Sequence, residues 1–287
     1  MKKIIWLASY PKSGNTWFRI FLSNLFDDKE DPADINKITS TQGIASARHI
    51  FDETTGIEAS DLSHDEVDIL RPGLYNSISD EAKETLFIKV HDAYTFLPDR
   101  SPLFPASATK GIIYIIRNPL DVAVSNSNHN RCTVQKSIER MGDGSYGLCG
   151  KNKRLKDQLR QKIGSWSDHV MSWTNAPDQK IHIIRYEDMK QAPAESFTAA
   201  IQFAGLHFDP EAVEAAIKNS SFEEMQKQEK EKGFKERPSG ALSFFRKGEA
   251  GSWREQLTPE QVKQILHDHG RVMQSYGYLT PEGEIVY

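Results

Sequence analysis

The sequence predicts a three-layer α/β fold with a mainly parallel central sheet flanked by helices. Three observations carry this reading. Short apolar runs alternate with stretches of helical period along the chain. The first run, KIIWLAS (3–9), is nearly all apolar, as a strand covered on both faces must be. The chain has 287 residues, 38% of them hydrophobic, which is enough for a sizeable core and excludes disorder as its main state.

The elements follow in order. Residues 10–16, YPKSGNT, are turn-prone, and WFRIFLSNLF (17–26) places Trp17, Ile20, Phe21 and Leu25 on one face of an amphipathic helix. Residues 27–75 carry weak signals and many acids, consistent with short helices and a flexible cover. LFIKVHD (86–92) reads as a second strand and GIIYIIR (111–117) as a third, ended by Asn118-Pro119; a helix follows over 120–129. The Gly-rich 141–152 reads as loop, and 154–174 is helical by pattern. KIHIIRYED (180–188) is a fourth strand with a polar end. Helices are expected over 194–204, 210–218 and 259–276. The charged run 226–237 does not read as core. With no internal repeat and no obvious linker, residues 1–287 read as one domain.

Charge and cysteine content narrow the function. Thirty-six basic and 40 acidic residues give a net charge of −4, so a globally basic nucleic-acid binder is not expected. A small basic pocket inside an acidic surface is compatible with that balance. The two cysteines, Cys132 and Cys149, lack both a disulfide framework and zinc-type spacing. The apolar run after Met1-Lys2-Lys3 is shorter than the roughly 7–15 residues of a signal peptide's core. No run approaches the roughly 20 that span a bilayer. The reading is a soluble, unprocessed, cytoplasmic chain.

Four constellations carry chemistry. In YPKSGNTW (10–17), Lys12, Ser13, Gly14, Asn15 and Thr16 lie between a strand and a helix N-terminus. Backbone N–H groups, hydroxyls and one ammonium can surround an anion there; an ordinary capped turn is the alternative. It is not a Walker A loop, because the Lys precedes the Gly. In IIRNPLDVAVSNSNH, Arg117 stands at the carboxyl end of a strand and Ser125 eight residues on. A guanidinium and a hydroxyl suit a phosphate, and a pairing of Arg117 with Asp121 is the alternative. SFFRKGEAGSW places Arg246 and Lys247 beside Gly248, where small residues let backbone approach a ligand; a solvated basic turn is the alternative. In IKVHD, Lys89 and His91 share one face of a strand by alternation, and a hydrogen-bonded structural histidine is the alternative.

Together these segments resemble the cytosolic-type, PAPS-dependent sulfotransferase family, with a prokaryotic member expected. YPKSGNTW looks like its 5′-phosphosulfate loop, RNPLDVAVS like its 3′-phosphate motif and FRKGEAGSW like its C-terminal RKGxxGxW signature. KVH resembles the strand bearing the family's catalytic Lys and His, and GSWSDHV, RYEDMKQAP and SSFEEM also match in order. The resemblance runs from about residue 4 to residue 279. It implies a P-loop-like fold and the donor 3′-phosphoadenosine 5′-phosphosulfate, whose product is 3′-phosphoadenosine 5′-phosphate. The sulfuryl group would pass in line to a hydroxyl or amine of a small-molecule acceptor, with no metal required and no nucleic-acid or membrane partner. By position, Lys12, Ser13, Gly14, Asn15, Thr16 and Trp17 would hold the 5′ end and adenine. Arg117, Ser125, Arg246, Lys247 and Gly248 would hold the 3′-phosphate, and Tyr186, Ser220 and Phe222 the adenosine. His91 would be the general base, with Lys12, Lys89 and Ser125 assisting.

There are departures. Asn15 stands where Thr is common, and Ser252 where Asp is usual. REQLTPEQVK (254–263) lacks the family's K-x-x-x-T-V-x-x-x-E pattern, which puts the usual dimer in doubt. Residues 226–245 are expected to order over bound donor, as a charged run with little to hold it down. The competing functions are a P-loop small-molecule kinase and a silent nucleotide binder. The kinase is disfavoured by the Lys order and the lack of a Walker B run.

Overall fold

The structure, a computed structural model, describes residues 2–27, 31–38, 40–150, 155–238 and 240–287. In chain order the elements are β1 (Ile4–Ser9), α1 (Asn15–Phe26), α2 (Arg48–Thr55), α3 (His64–Glu81), β2 (Leu86–Val90) and β3 (Thr109–Ile116). There follow α4 (Pro119–Asn130), α5 (Val134–Met141), β4 (Gly147–Leu148), β5 (Gln161–Lys162), α6 (Trp166–Thr174) and β6 (Ile181–Arg185). The chain continues with α7 (Tyr186–Gln191), α8 (Pro193–Phe203), α9 (Pro210–Asn219), α10 (Phe222–Lys232) and α11 (Pro259–Ser275). The main sheet has the order β2-β1-β3-β6 and every pairing in it is parallel. Strand β1 is therefore central, and its two neighbours lie further along the chain on opposite sides. That is a topological switch point, where the carboxyl ends of α/β strands leave a crevice.

Strand alternation builds the three layers. Trp6, Ala8, Ile112, Tyr114 and Ile116 point into a core shared with Tyr75 of α3, Val122 of α4, Trp166 and Trp173 of α6 and Met273 of α11. Ile5, Leu7, Ile113, Ile115 and Ile184 point the other way, onto Phe18 and Phe21 of α1, Phe197 of α8 and Val213 of α9. Among the described residues no helix is long and apolar enough to cross a membrane.

Several elements differ from expectation. Helix α1 is not one-sided: Phe18, Phe21 and Leu25 pack on the sheet while Ile20 packs into a third cluster with Ile35, Met225, Phe234 and Phe245. Region 27–75 holds most of α3, an 18-residue helix with Pro72 inside it, opened by a Ser63/Glu66 capping box. It is anchored by Arg71, fully buried, whose guanidinium donates two bonds of 3.0 Å to the Asp92 carboxylate. Of the helix expected over 154–174 only α6 forms. Residues 155–165 run extended and supply β5, with buried Leu159 and Ile163, while residue 154 lies outside the described residues, as do 151–152 of the expected Gly-rich loop. The strand expected to reach 188 ends at Arg185, and α7 begins at once.

The run 226–237 is largely helix α10, and it is held down. Buried Glu229 accepts backbone N–H bonds from Phe244 (2.7 Å) and Phe245 (3.0 Å). Phe234, Phe244 and Phe245 pack ring on ring. The premise of an unanchored lid over 226–245 is thus corrected: acids and lysines hid an aromatic cluster. Residue 239 lies outside the described residues.

Candidate active site

The loop after β1 turns sharply, with Lys12 at φ 74° and Gly14 at φ 107°. A Cβ at Gly14 would sit 2.6 Å from the Tyr186 ring. Gly14→Ala is therefore expected to combine left-handed strain with a ring clash and to lower stability by about 1–3 kcal/mol. Thermal unfolding checks it, and an unchanged Tm would refute the close approach. Asn15 is buried, and its amide donates to Leu7 O (2.8 Å) and Ser9 Oγ (3.2 Å), tying the start of α1 to the end of β1.

The loop borders a cleft of about 2320 Å³ that runs across the carboxyl ends of β1, β2 and β3. Lys12, Gly14, Asn15, Thr16, Trp17, Lys89, His91, Arg117 and Ser125 all line it. Tyr186, Phe222, Arg246, Lys247 and Gly248 line it as well. Two expected residues do not: Ser13 is buried in the loop, and Ser220 is wholly buried with its hydroxyl donating to Ile217 O (3.2 Å). Ser220 stands behind the cleft wall.

At one end lies an aromatic slot. Trp17 meets Tyr186 edge-on at 6.0 Å, and Lys190 reaches over the Trp17 and Phe222 rings. Phe222 packs against Gly248, at φ 63°, so closely that a Cβ there would lie 2.3 Å from its ring. Arg117 lies 4.2 Å over the Tyr186 ring and donates to Lys12 O (3.2 Å) and Glu249 O (3.0 Å). It is not paired with Asp121. That carboxylate instead receives Gly251 N (2.7 Å), Ser252 Oγ (3.2 Å) and Trp253 N (3.1 Å). Ser252, standing where the family usually has Asp, thus keeps a local contact. Two buried donors of residues that line the cleft, Arg117 Nε and Trp17 Nε1, have no protein partner. Unpaired buried donors around a cationic slot are what an anionic nucleotide would satisfy.

In the middle of the cleft stand His91, Lys89 and Lys12. His91 Nδ1 donates to Ser9 O at 2.9 Å, which leaves Nε2 as the lone-pair nitrogen. Burial and then the Lys89 charge hold His91 well below the usual histidine range, so it is neutral at working pH. The His91 carbonyl accepts from His169 Nε2 at 3.1 Å, and Tyr114 Oη donates to His169 Nδ1 at 2.8 Å. Lys12 Nζ lies 3.3 Å from His129 Nδ1 and 3.9 Å over the Phe244 ring. Burial, then Lys89 and Arg117, push it down to about 7. Lys89 donates to Glu236 at 3.2 Å, and Arg19 to the same carboxylate at 2.7 Å.

Glu236, His129 and Lys190 were not singled out in the sequence. Glu236 lies within a charged run and carries no local signal. His129 had one: it follows Ser125 by four residues on a helix, hence on the same face.

The family model of the sulfotransferase domain matches residues 2–277. The chain belongs to the sulfotransferase domain family. A flavonol 3-sulfotransferase of Flaveria bidentis is 28% identical over 279 residues, covering 91% of this chain and 78% of the relative. Sulfotransferase 1C2 of Rattus norvegicus is 27% identical over 268 residues, covering 89% and 78%. Among solved structures, mouse sulfotransferase SULT7A1 complexed with PAP aligns with a TM-score of 0.60 at 23% identity, covering 97% of this chain and 89% of that one. Retinol dehydratase in complex with androsterone and inactive cofactor PAP gives 0.63 at 20% identity, covering 94% and 80%. These two likenesses are of fold. The sulfotransferase is thus an enzyme of sulfuryl transfer on a parallel α/β frame, and the kinase alternative is not favoured.

Proposed function

We propose that this sulfotransferase, a single domain over residues 1–287, moves the sulfuryl group of 3′-phosphoadenosine 5′-phosphosulfate to a hydroxyl or amine of a small-molecule acceptor in the cytoplasm. The observation that carries the reading is His91, its Nδ1 committed to Ser9 O, standing with Lys12 and Lys89 in one cleft with the Arg117 slot. The two aligned structures hold PAP, which supports the donor.

In this reading Trp17, Tyr186 and Phe222 flank the adenine, and Arg117, Ser125, Arg246, Lys247 and Gly248 receive the 3′-phosphate. Lys12, Asn15 and Thr16, with the N–H groups of residues 13–16, hold the 5′ end. His91 Nε2 takes the proton of the acceptor hydroxyl as its oxygen bonds to sulfur. The bond from sulfur to the 5′-phosphate oxygen breaks, and the ammonium groups of Lys12 and Lys89, with Ser125, stabilise the charge left there. Fixed cations and N–H donors supply the electrostatic stabilisation that bound metal supplies in phosphoryl transfer.

Turnover is therefore expected to persist in excess EDTA. A labelled-sulfate transfer assay over phenol, alkyl alcohol, amine and sugar acceptors, run with and without chelator, checks donor, acceptor and metal together. Complete loss in EDTA, or transfer from ATP instead, would overturn the reading.

A further inference from the structure

We propose that His129, in the last turn of α4, is a positioning residue for sulfuryl transfer, its Nδ1 accepting from Lys12 and holding that ammonium where charge develops on the leaving oxygen. The inference rests on the reading of Lys12 given above.

An ammonium has only donors to offer, so at 3.3 Å the His129 Nδ1 is the acceptor and its proton sits on Nε2. The Phe244 ring lies against the same ammonium, its centroid 3.9 Å from Nζ. His129 meets the same ring edge-on, with centroids 5.8 Å apart and planes at 80°. An imidazole and an aromatic face, both from outside its own loop, thus hold Lys12. They act on a side chain whose backbone is already in the left-handed region, at φ 74°, a conformation kept where surroundings enforce it. Ser125 and His129 are one helical turn apart, and both line the cleft with Lys12. One face of α4 therefore serves the reacting centre twice.

The charges around the pair agree with this role. Burial, then Lys12 and Lys89, push His129 down to about 3, with Glu236 opposing, so it stays a neutral acceptor. Lys12 is pushed down to about 7 by burial, Lys89 and Arg117, against Glu236 and Glu229. A neutral acceptor at 3.3 Å favours the ammonium over the amine. Without it Lys12 loses its proton at lower pH, and an amine stabilises a leaving oxyanion poorly.

His129→Phe keeps a ring against Phe244 and removes the acceptor; His129→Asn returns an acceptor oxygen close to the place of Nδ1. We expect His129→Phe to lower kcat about tenfold or more, since small misplacements at a reacting centre are costly. Affinity for 3′-phosphoadenosine 5′-phosphate should stay within about threefold, and the basic limb of the kcat profile should move to lower pH. His129→Asn should recover most of both. Should His129→Phe fail to fold, His129→Leu takes its place. A folded variant without the acceptor that keeps the wild-type kcat and basic limb would overturn the proposal. So would a folded His129→Asn no better than His129→Phe. Calorimetry of the wild-type protein with 3′-phosphoadenosine 5′-phosphate tests the donor reading separately: absence of binding there refutes that reading, not the role of His129 alone.

Discussion

Replacing His91 with Ala is expected to lower kcat by about 10²-fold or more, with donor affinity and melting temperature little changed. The geometry gives the reason. Its Nδ1 proton is committed to Ser9 O at 2.9 Å, so the remaining nitrogen is free to accept a proton. Lys12 and Lys89 as ammonium groups cannot do that work. What the fold loses is one hydrogen bond, worth about 1 kcal/mol. A purely structural histidine would give the opposite pattern, with stability reduced and activity per folded molecule intact. Steady-state kinetics beside a melting curve separates the two, and a near-normal kcat would end the assignment of His91 as the base.

Arg117→Ala should weaken binding of 3′-phosphoadenosine 5′-phosphate by about 2–4 kcal/mol, roughly 30-fold to 10³-fold. Two losses combine. A phosphate in the slot would lose its forked partner, and the guanidinium that ties Lys12 O to Glu249 O across the cleft would be gone. Arg117→Lys should recover only part of the affinity, because a lysine replaces the charge but not the fork or the stack on Tyr186. Calorimetry on the three proteins checks this; unchanged affinity in Arg117→Ala would refute the placement of the 3′-phosphate.

Where sequence reading succeeded, the signal was local. The sheet strands are short runs of Ile, Val and Leu, and the anion loop announces itself by Gly14 between strand and helix. The failures share a cause, which is tertiary contact overriding local chemistry. In 27–75, expected to hold only short helices, the 18-residue α3 forms because Val67, Leu74 and Tyr75 enter the core and Arg71 reaches Asp92. Segment 155–165 has helical spacing but lies extended, with Leu159 N donating to Ser46 O and Ala93 N to Lys162 O. In 226–237 the charges masked Glu229, a buried carboxylate serving as an anchor for two backbone amides. Residues that line the cleft were legible where a motif carried them. Glu236 carries no such motif, because its meaning comes only from Lys89 and Arg19 opposite.

The clasp of Asp121 on Gly251 and Trp253 has a consequence for how the molecule is made. It joins segments 130 residues apart in sequence, while Arg117 reaches 132 residues on to Glu249. Contacts this distant carry the loop-closure entropy that slows folding. During synthesis from the N-terminus, the sheet strands have all emerged by residue 185, but Glu249 and the Gly251–Trp253 turn that complete one wall of the cleft have not. This wall of the cleft is thus completed after the sheet, on a frame already laid down.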